Sequence, residues 1–438
     1  MRNNNKIAAF LPVKAKSERI KNKNLRLLAG KPLFLHTLEK LVGCDFIDEV
    51  FLDSESEEVF DMASNTNFIR FKRDEKLANN STDGNKLFLN EIKATDADIC
   101  IQILCTSPFI EPETIKKGVE ILANSEEYDS VVLVKKEKLY TWDSIDIKPN
   151  YDIENIPNSF NLEDTVIETM GLYIIRRDAA LKTGRRIGKK PYLLEAASLE
   201  AIDINYIQDF ELAELVMKGK KEKEILFFRQ LSSKINSSMI SDTLEELNIK
   251  NKVIIGLDLN LKDKKLLGRA KTLKIKEKTD SSAGKNIYEA LNSYETITSG
   301  DIIVVENELS KFAYFGNLNA SLAIRSGAVG AIIGGKTRDS SEIKHLDFPV
   351  FSEGFTCKDI KNKGQVDSIN KKISIKGVEI CPDDLIFADN EGIVVIPKKF
   401  ESLVFEKCLK ILERENEIIL DITKKEKISL IRQKFGDF

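Results

Sequence analysis

Histidine is almost absent: His36 and His345 are the only two in 438 residues. That scarcity nearly excludes His-rich zinc sites and argues against a Ser-His-Asp triad. The six cysteines (Cys44, Cys100, Cys105, Cys357, Cys381 and Cys408) show no CxxC spacing and read as reduced, mostly buried thiols of a cytoplasmic protein. No apolar stretch approaches the roughly 20 residues a membrane span needs, and the first apolar run is too short for a signal-peptide core. A net charge of −3 gives no reason to expect nucleic acid or an anionic membrane as a partner. Carboxylates, Lys, Arg and a hard divalent cation are what remain for chemistry.

With 438 residues, 42% hydrophobic and 31% charged, the chain reads as a globular protein of two or three domains. Strand-like runs at 7–12, 48–53, 98–104, 129–135 and 171–175 alternate with amphipathic stretches such as 33–42 and 113–123. That alternation predicts a parallel sheet with helices packed on it. A further helix carries Tyr206, Phe210, Ala213 and Met217 at three-to-four spacing, then dissolves into KGKKEKE (218–224), the most linker-like segment. Beyond it a capped helix is expected near Ser241-Asp242, with strands at 252–257, 269–276, 301–306, 329–333, 349–351 and 392–396 and a closing helix over 400–420. The expectation is two α/β domains, 1–224 and 225–438.

Residues 7–26 carry the strongest local signal. An apolar run from Ile7 to Pro12 breaks into a loop with six basic residues (Lys14, Lys16, Arg19, Lys21, Lys23, Arg26) against one acid, Glu18. Backbone amides and Lys or Arg heads at a strand's carboxyl end can meet a polyphosphate. The glycines of a P-loop or dinucleotide fingerprint are missing from this loop. Taken alone, it reads either as a polyanion site or as a solvated charge run.

The segment PVKAKSERIKNKNLRLLAGKPLF (12–34) resembles the opening of the CMP-sugar synthetases, the acylneuraminate and 3-deoxy-manno-octulosonate cytidylyltransferases. FLDSESEEVFDMA, KRDEKLA, CTSPFI, ETMGLYII and AIDINYIQDF continue the likeness in the family's order, over about residues 5–217. The resemblance implies a Rossmann-like, GT-A-like nucleotidyltransferase domain that transfers CMP from CTP to a sugar acid hydroxyl and releases pyrophosphate. It places Pro12, Lys14, Ser17, Arg19, Lys23, Asn24 and Arg73 at the nucleotide, with Lys14, Arg19 and Lys23 holding phosphates and Asn24 and Arg73 reading cytosine and ribose. Asp203 and Asp209 are the expected Mg²⁺ ligands, although Asp209 also reads as a first-turn acid favoured by the helix dipole. The chain departs from the family at Lys14 and Glu18, at Ile110, at Glu168-Thr169-Met170, and at Asn205, the second position of a D-x-D. The basic arm Arg185-Arg186…Lys189-Lys190 reads either as a carboxylate clamp or as a solvated loop.

GAVGAIIGGKTRDSSEI (327–343), ahead of FPVFSEG and CPDDLIFADNEGIVVIP, is similar to the RraA family, which includes the regulator of ribonuclease activity A and the 4-hydroxy-4-methyl-2-oxoglutarate aldolases. The likeness covers about 230–420 and implies an RraA-like α/β domain. Arg338 is then the expected keto-acid ligand and catalytic residue, Asp339 the Mg²⁺ ligand and Glu342 a supporting acid. Gly316, Asn317 and Leu318 supply the gripping loop. Asn317 and Gly334 stand where the family commonly has acids. The second half is therefore either a Mg²⁺-dependent lyase releasing pyruvate or a silent oligomerisation or regulatory module. The combined expectation is a cytoplasmic homo-oligomer, a trimer or hexamer through the second half and a possible dimer through the first, acting on CTP and a small sugar acid.

Overall fold

The computed structural model describes residues 5–79, 82–278 and 286–436. The chain divides into two compact units, Met1–Val216 and Met217–Phe438.

The first unit is built on a seven-stranded sheet. Its strands are β1 (Ile7–Pro12), β2 (Glu49–Ser54), β3 (Ile69–Lys72), β4 (Ile99–Ile103), β5 (Ser130–Glu137), β6 (Thr165–Arg176) and β7 (Pro191–Glu195), in the spatial order β7-β5-β6-β4-β1-β2-β3. β1 is apolar on both faces because both are covered. Ala9 and Leu11 join a cluster with Phe34, Leu38 and Leu41 of helix α1 (Leu33–Val42), whereas Ala8 and Phe10 join Phe88, Ile92 and Ala180. This alternation is the signature of a doubly covered sheet. The remaining helices are α2 (Glu57–Met62), α3 (Gly84–Glu91), α4 (Pro112–Asn124) and α5 (Arg177–Thr183).

The sheet is not wholly parallel. β6 runs antiparallel to both β4 and β5, because the chain leaves β5 at Glu137 and returns directly opposite it at Thr165. A strand that re-enters beside the one it just left must reverse direction.

Helix α6 (Ile207–Ser232) runs straight through the segment expected as a linker. Two of its charges dock: Lys221 bonds Asp301 at 3.0 Å and Glu224 bonds Arg269 at 2.6 Å, whereas Lys218, Lys220, Glu222 and Lys223 are exposed. Asp301 and Arg269 are mostly buried, so one side of this run, Lys221 and Glu224, is docked on the protein.

The second unit carries a nine-stranded sheet of β8 (Val253–Ile254), β9 (Asp258–Leu259), β10 (Leu266–Glu277), β11 (Asp301–Asn307), β12 (Gly330–Gly334), β13 (Val350–Ser352), β14 (Gly364–Ile369), β15 (Leu385–Ala388) and β16 (Ile393–Ile396). The order is β8-β16-β15-β10-β11-β12-β13-β9, with β14 also paired to β10. β10 to β13 are parallel, and antiparallel strands flank them. Helix α7 (Ser237–Glu246) starts earlier than expected, because the Asn236 side chain caps it by accepting from the Met239 amide at 2.8 Å. Helices α8 (Asn317–Ser326), α9 (Ser340–His345), α10 (Glu401–Thr423) and α11 (Ile428–Phe435) complete the unit. Among the described residues no helix is long and apolar enough to cross a membrane.

Candidate functional site

β1 lies between β2 and β4, so the chain leaves β1 and β4 on opposite sides of a switch point in the sheet. Ligands in open α/β sheets bind at the carboxyl ends of strands at such points. A cleft of about 210 Å³ opens there, and its lining includes Pro12, Lys14, Asn24, Arg73, Cys105 and Thr106. The expected residues Pro12, Lys14, Asn24 and Arg73 are thus brought together. Asn24 is buried and gives its Nδ2 to the Lys14 carbonyl at 2.9 Å, while its Oδ1 accepts nothing. Burial pushes the Cys105 thiol up to about 12, so it is a neutral wall of the cleft.

Ser17, Arg19 and Lys23 do not line that cleft. Ser17 Oγ donates to the Ile20 carbonyl at 2.6 Å and accepts the Lys23 amide at 2.8 Å, which fixes the shape of the basic loop. Arg19 donates to Asn205 Oδ1 at 2.8 Å and lies over the Tyr206 ring, and Lys23 Nζ reaches the Ile204 carbonyl at 2.5 Å. Burial lowers the Lys23 pKa, against the pull of Cys105 and Asp203. The loop cations and the expected metal ligands therefore form one cluster.

Within it, Asp209 Oδ2 accepts the Asn205 and Tyr206 amides at 2.8 Å each, as a helix-capping acid does, and Asp203 Oδ2 accepts from Asn205 Nδ2 at 2.5 Å. Each acid spends only Oδ2 on these bonds. Their oxygens are the hard donors that suit Mg²⁺. Among the described residues no three His, Cys, Asp or Glu side chains converge on one point.

Behind the cleft lies a buried polar chain that the motifs did not single out. Arg73 Nε donates to Asp53 Oδ1 at 2.9 Å and Nη2 to the Asp53 carbonyl at 3.0 Å. Glu91 is fully buried beside them and accepts from Gln102 Nε2 at 2.7 Å. Burial first, then the Asp53 charge, push Glu91 well above the usual carboxylate range. Asp53 Oδ2 and Glu91 Oε1 have no other partner, which fits a proton on Glu91 shared with Asp53. One readable signal existed: Gln102 is the single polar residue in the strand ICIQI.

The histidines take no part in this cleft. His36 Nε2 bonds the Leu28 carbonyl at 2.8 Å, and burial pulls its pKa down to about 4. Ile110, at a position where the resemblance implies Arg, is buried in the core.

In the second unit Gly316, Asn317, Leu318, Asn319, Arg338, Asp339 and Glu342 line a cleft of about 250 Å³. All the residues expected there meet. A Cβ on Gly316 would sit 2.6 Å from Asp339 Oδ2 and 3.2 Å from Arg338 Nε, so a larger residue here would push both side chains aside. Asp339 is left-handed at φ 56 and its Oδ2 accepts the Asn317 amide at 3.1 Å. Its carboxylate is a hard donor, though part of it is already committed to the protein. The unforeseen residue is Asp359, which takes Arg338 Nη1 at 2.8 Å. Burial opposes ionisation of Asp359, yet the Lys361 amide and the Arg338 guanidinium outweigh it and hold the pKa low.

An open α/β sheet with Lys14 and Arg73 in a cleft at its switch point is the class of fold the first unit presents. The sequence profile described as Cytidylyltransferase matches residues 8–226, and the profile described as Aldolase/RraA matches residues 237–395. The chain belongs to the cytidylyltransferase family through its first half and to the RraA-like family through its second. A CMP-N,N'-diacetyllegionaminic acid synthase of Legionella pneumophila is 30% identical over 234 residues, 50% of this chain and 98% of that protein. An N-acylneuraminate cytidylyltransferase of Escherichia coli is 24% identical over 243 residues, and this chain spans only 57% of its length while 53% of this chain is covered. A protein of Halalkalibacterium halodurans, provisionally named a 4-hydroxy-4-methyl-2-oxoglutarate aldolase, is 32% identical over 191 residues, 43% of this chain and 85% of its own length. The first unit is a Rossmann-like nucleotidyltransferase domain and the second an RraA-like α/β domain.

Proposed function

We propose that the protein transfers CMP from CTP to a hydroxyl of a 2-keto-3-deoxy sugar acid, ulosonic or nonulosonic, and releases pyrophosphate. The acceptor oxygen bonds the α-phosphorus, the bond to the β-phosphate bridging oxygen breaks, and the hydroxyl proton is lost. The carrying observation is the cleft at the β1–β4 switch point, with Lys14 and Arg73 in its wall and the Asn24 Oδ1 unpaired. That oxygen suits an amino or hydroxyl donor of the nucleoside. Lys14, Arg19 and Lys23 are assigned to the phosphates, with Ser17 holding the loop in shape. Asp203 and Asp209 are assigned to Mg²⁺, which when bound neutralises charge on the α-phosphate. The family membership and the legionaminate- and neuraminate-activating relatives support this reading. We place the enzyme in the cytoplasm, where CTP is available.

The test is a pyrophosphate-release screen of CTP against N,N'-diacetyllegionaminate, N-acetylneuraminate and 3-deoxy-manno-octulosonate, with Mg²⁺ added or chelated. Acid-dependent, metal-dependent release supports the proposal, and no release with any acid sinks it.

A second reading gives the RraA-like unit its own chemistry, a Mg²⁺-assisted lyase releasing pyruvate. The cleft that gathers Gly316, Arg338 and Asp339 favours it. A guanidinium and a divalent ion stabilise a developing enolate without histidine. Pyruvate formation by the full chain, lost in Arg338→Ala, decides it. If neither is seen and the chain sediments as a trimer or hexamer, the unit is an assembly module.

A further inference from the structure

β4 carries Gln102 almost wholly buried, with its Nε2 committed to Glu91. Its Oε1 therefore faces the other way and accepts from Arg186 Nη1 at 3.5 Å. Arg186 Nη2 donates to the Tyr173 hydroxyl at 2.9 Å, the guanidinium lies over the Tyr173 ring at 3.8 Å, and the Arg186 amide is tied to Asn85 Oδ1 at 3.0 Å. Every one of these acceptors is neutral. Among the described residues no carboxylate pairs directly with Arg186, and the neighbouring Glu168 accepts the Tyr173 hydroxyl proton instead.

The backbone is shaped around this group. The β5–β6 register slips between Glu168 and Tyr173, and within the slip Met170 sits left-handed at φ 60. Bulges re-aim side chains, and a non-glycine residue in this region is strained. The Met170 sulfur lies 3.2 Å from the Tyr173 hydroxyl. Gly171 allows the approach, because a Cβ there would stand 2.6 Å from Ser107 Oγ.

The same two segments that hold Arg186 also wall the nucleotide cleft. Leu104, Cys105 and Thr106 follow Gln102, and Thr82 and Leu87 bracket Gly84 and Asn85. A Cβ on Gly84 would meet Arg186 Nη1 at 3.1 Å. The guanidinium is thus held by the segments that also wall the cleft, with neutral groups as its direct partners and Glu168 reached only through the shared Tyr173 hydroxyl. CTP brings phosphates, for which the basic loop supplies cations. The acceptor brings one carboxylate, and a planar two-donor fork fits it.

We infer that Arg186, stacked on Tyr173 and steered by Gln102, clamps the carboxylate of the acceptor sugar acid. This rests on the cytidylyl-transfer reading of the same cleft. Next to Arg186 in the basic arm, the Lys189 and Lys190 amides are tied to Asp129 at 2.7 and 3.0 Å, which fixes the backbone there.

The test compares full-length wild type, Arg186→Gln and Arg186→Lys in pyrophosphate release with the three sugar acids and their methyl esters. Arg186→Gln keeps a donor for Tyr173 and removes the charge. The expected result is a KM for the acid raised about 10- to 150-fold, the loss of a hydrogen bond to a charged group, with the KM for CTP within about twofold. Arg186→Lys recovers part of the loss, and the preference of wild type for acid over ester collapses in Arg186→Gln. An unchanged acid KM, an equal rise in the CTP KM, or an intact preference for acid over ester in Arg186→Gln overturns the inference while leaving cytidylyl transfer standing. Wild type that binds CTP yet turns over none of the acids overturns the transfer reading, and the clamp with it.

Discussion

The two clefts differ in what holds their cations. In the first unit Arg73 of the cleft wall is bound to buried Asp53, but cations outside the lining rest on neutral groups: Arg19 on an amide oxygen, Lys23 on a backbone carbonyl and Arg186 on a phenol and an amide. In the second, Arg338 Nη1 already holds Asp359, and Asp339 Oδ2 lies 3.7 Å from its Nε. Neutral acceptors fix a cation's direction and leave its charge for a ligand, whereas a carboxylate cancels much of it. The difference teaches that a polyanion can meet Arg19 and Lys23 of the basic loop without breaking an ion pair of theirs, while an acid entering the second cleft must displace a protein carboxylate.

The largest expected effect tests whether cations of the second unit serve structure. Arg269 is mostly buried between Glu224 and Glu401, with bonds of 2.6 Å to each. Arg269→Met strands Glu401, leaves Glu224 only its Lys221 partner at 2.9 Å, and should cost about 3–5 kcal/mol in urea unfolding. A loss below about 1 kcal/mol would mean that the pairs do not hold this unit together. The complementary change in the first unit is Lys23→Ala. It should lower kcat/KM for CTP about 10²- to 10³-fold, the usual loss for one charge-stabilising donor, with little change in stability. A stability loss without a kinetic one would make Lys23 structural.

The buried pair behind the first cleft gives a pH effect. Glu91 is protonated in the folded protein and ionised in the unfolded chain above its ordinary pKa near 4.5. Its contribution to stability is full below that value and falls as pH rises toward the elevated folded pKa, by about 1.4 kcal/mol per pH unit. Glu91→Gln mimics the protonated side chain, so its stability advantage over wild type should grow as pH rises above the ordinary carboxylate range. Parallel melting profiles would show that Glu91 is ionised when folded. The smallest effect falls on the second cleft. Arg338 and Asp359 are both substantially exposed, so Asp359→Asn should tighten oxalate binding by no more than about fivefold. No tightening would break the contrast drawn between the clefts.

Much of this was legible in the sequence, for definable reasons. The apolar run Ile7–Pro12 and its basic loop announce a buried strand ending in cationic groups, and the ordered motifs behind it pick out Pro12, Lys14, Asn24 and Arg73, which meet at one cleft. Gly316 and the Arg338-Asp339 turn were readable through the resemblance to the RraA family, whose spacing they match, and they line one cleft. The helical course of residues 218–224 was hidden, since a run of Lys and Glu looks solvated until Asp301 and Arg269 are placed opposite it. Asp53, Glu91 and Gln102 come from three separate elements, and periodicity carries no information about such a meeting. Asp359 pairs with a residue 21 positions away across a loop, beyond the reach of local pattern.

Pyrophosphate release from CTP by the full chain, measured for wild type and Lys14→Ala with each sugar acid in turn, tests the central claim most directly. The account predicts acid-dependent release by wild type with at least one acid and a loss of about 10²-fold or more in Lys14→Ala. Release that does not depend on any acid, or equal rates for the two proteins, would contradict it.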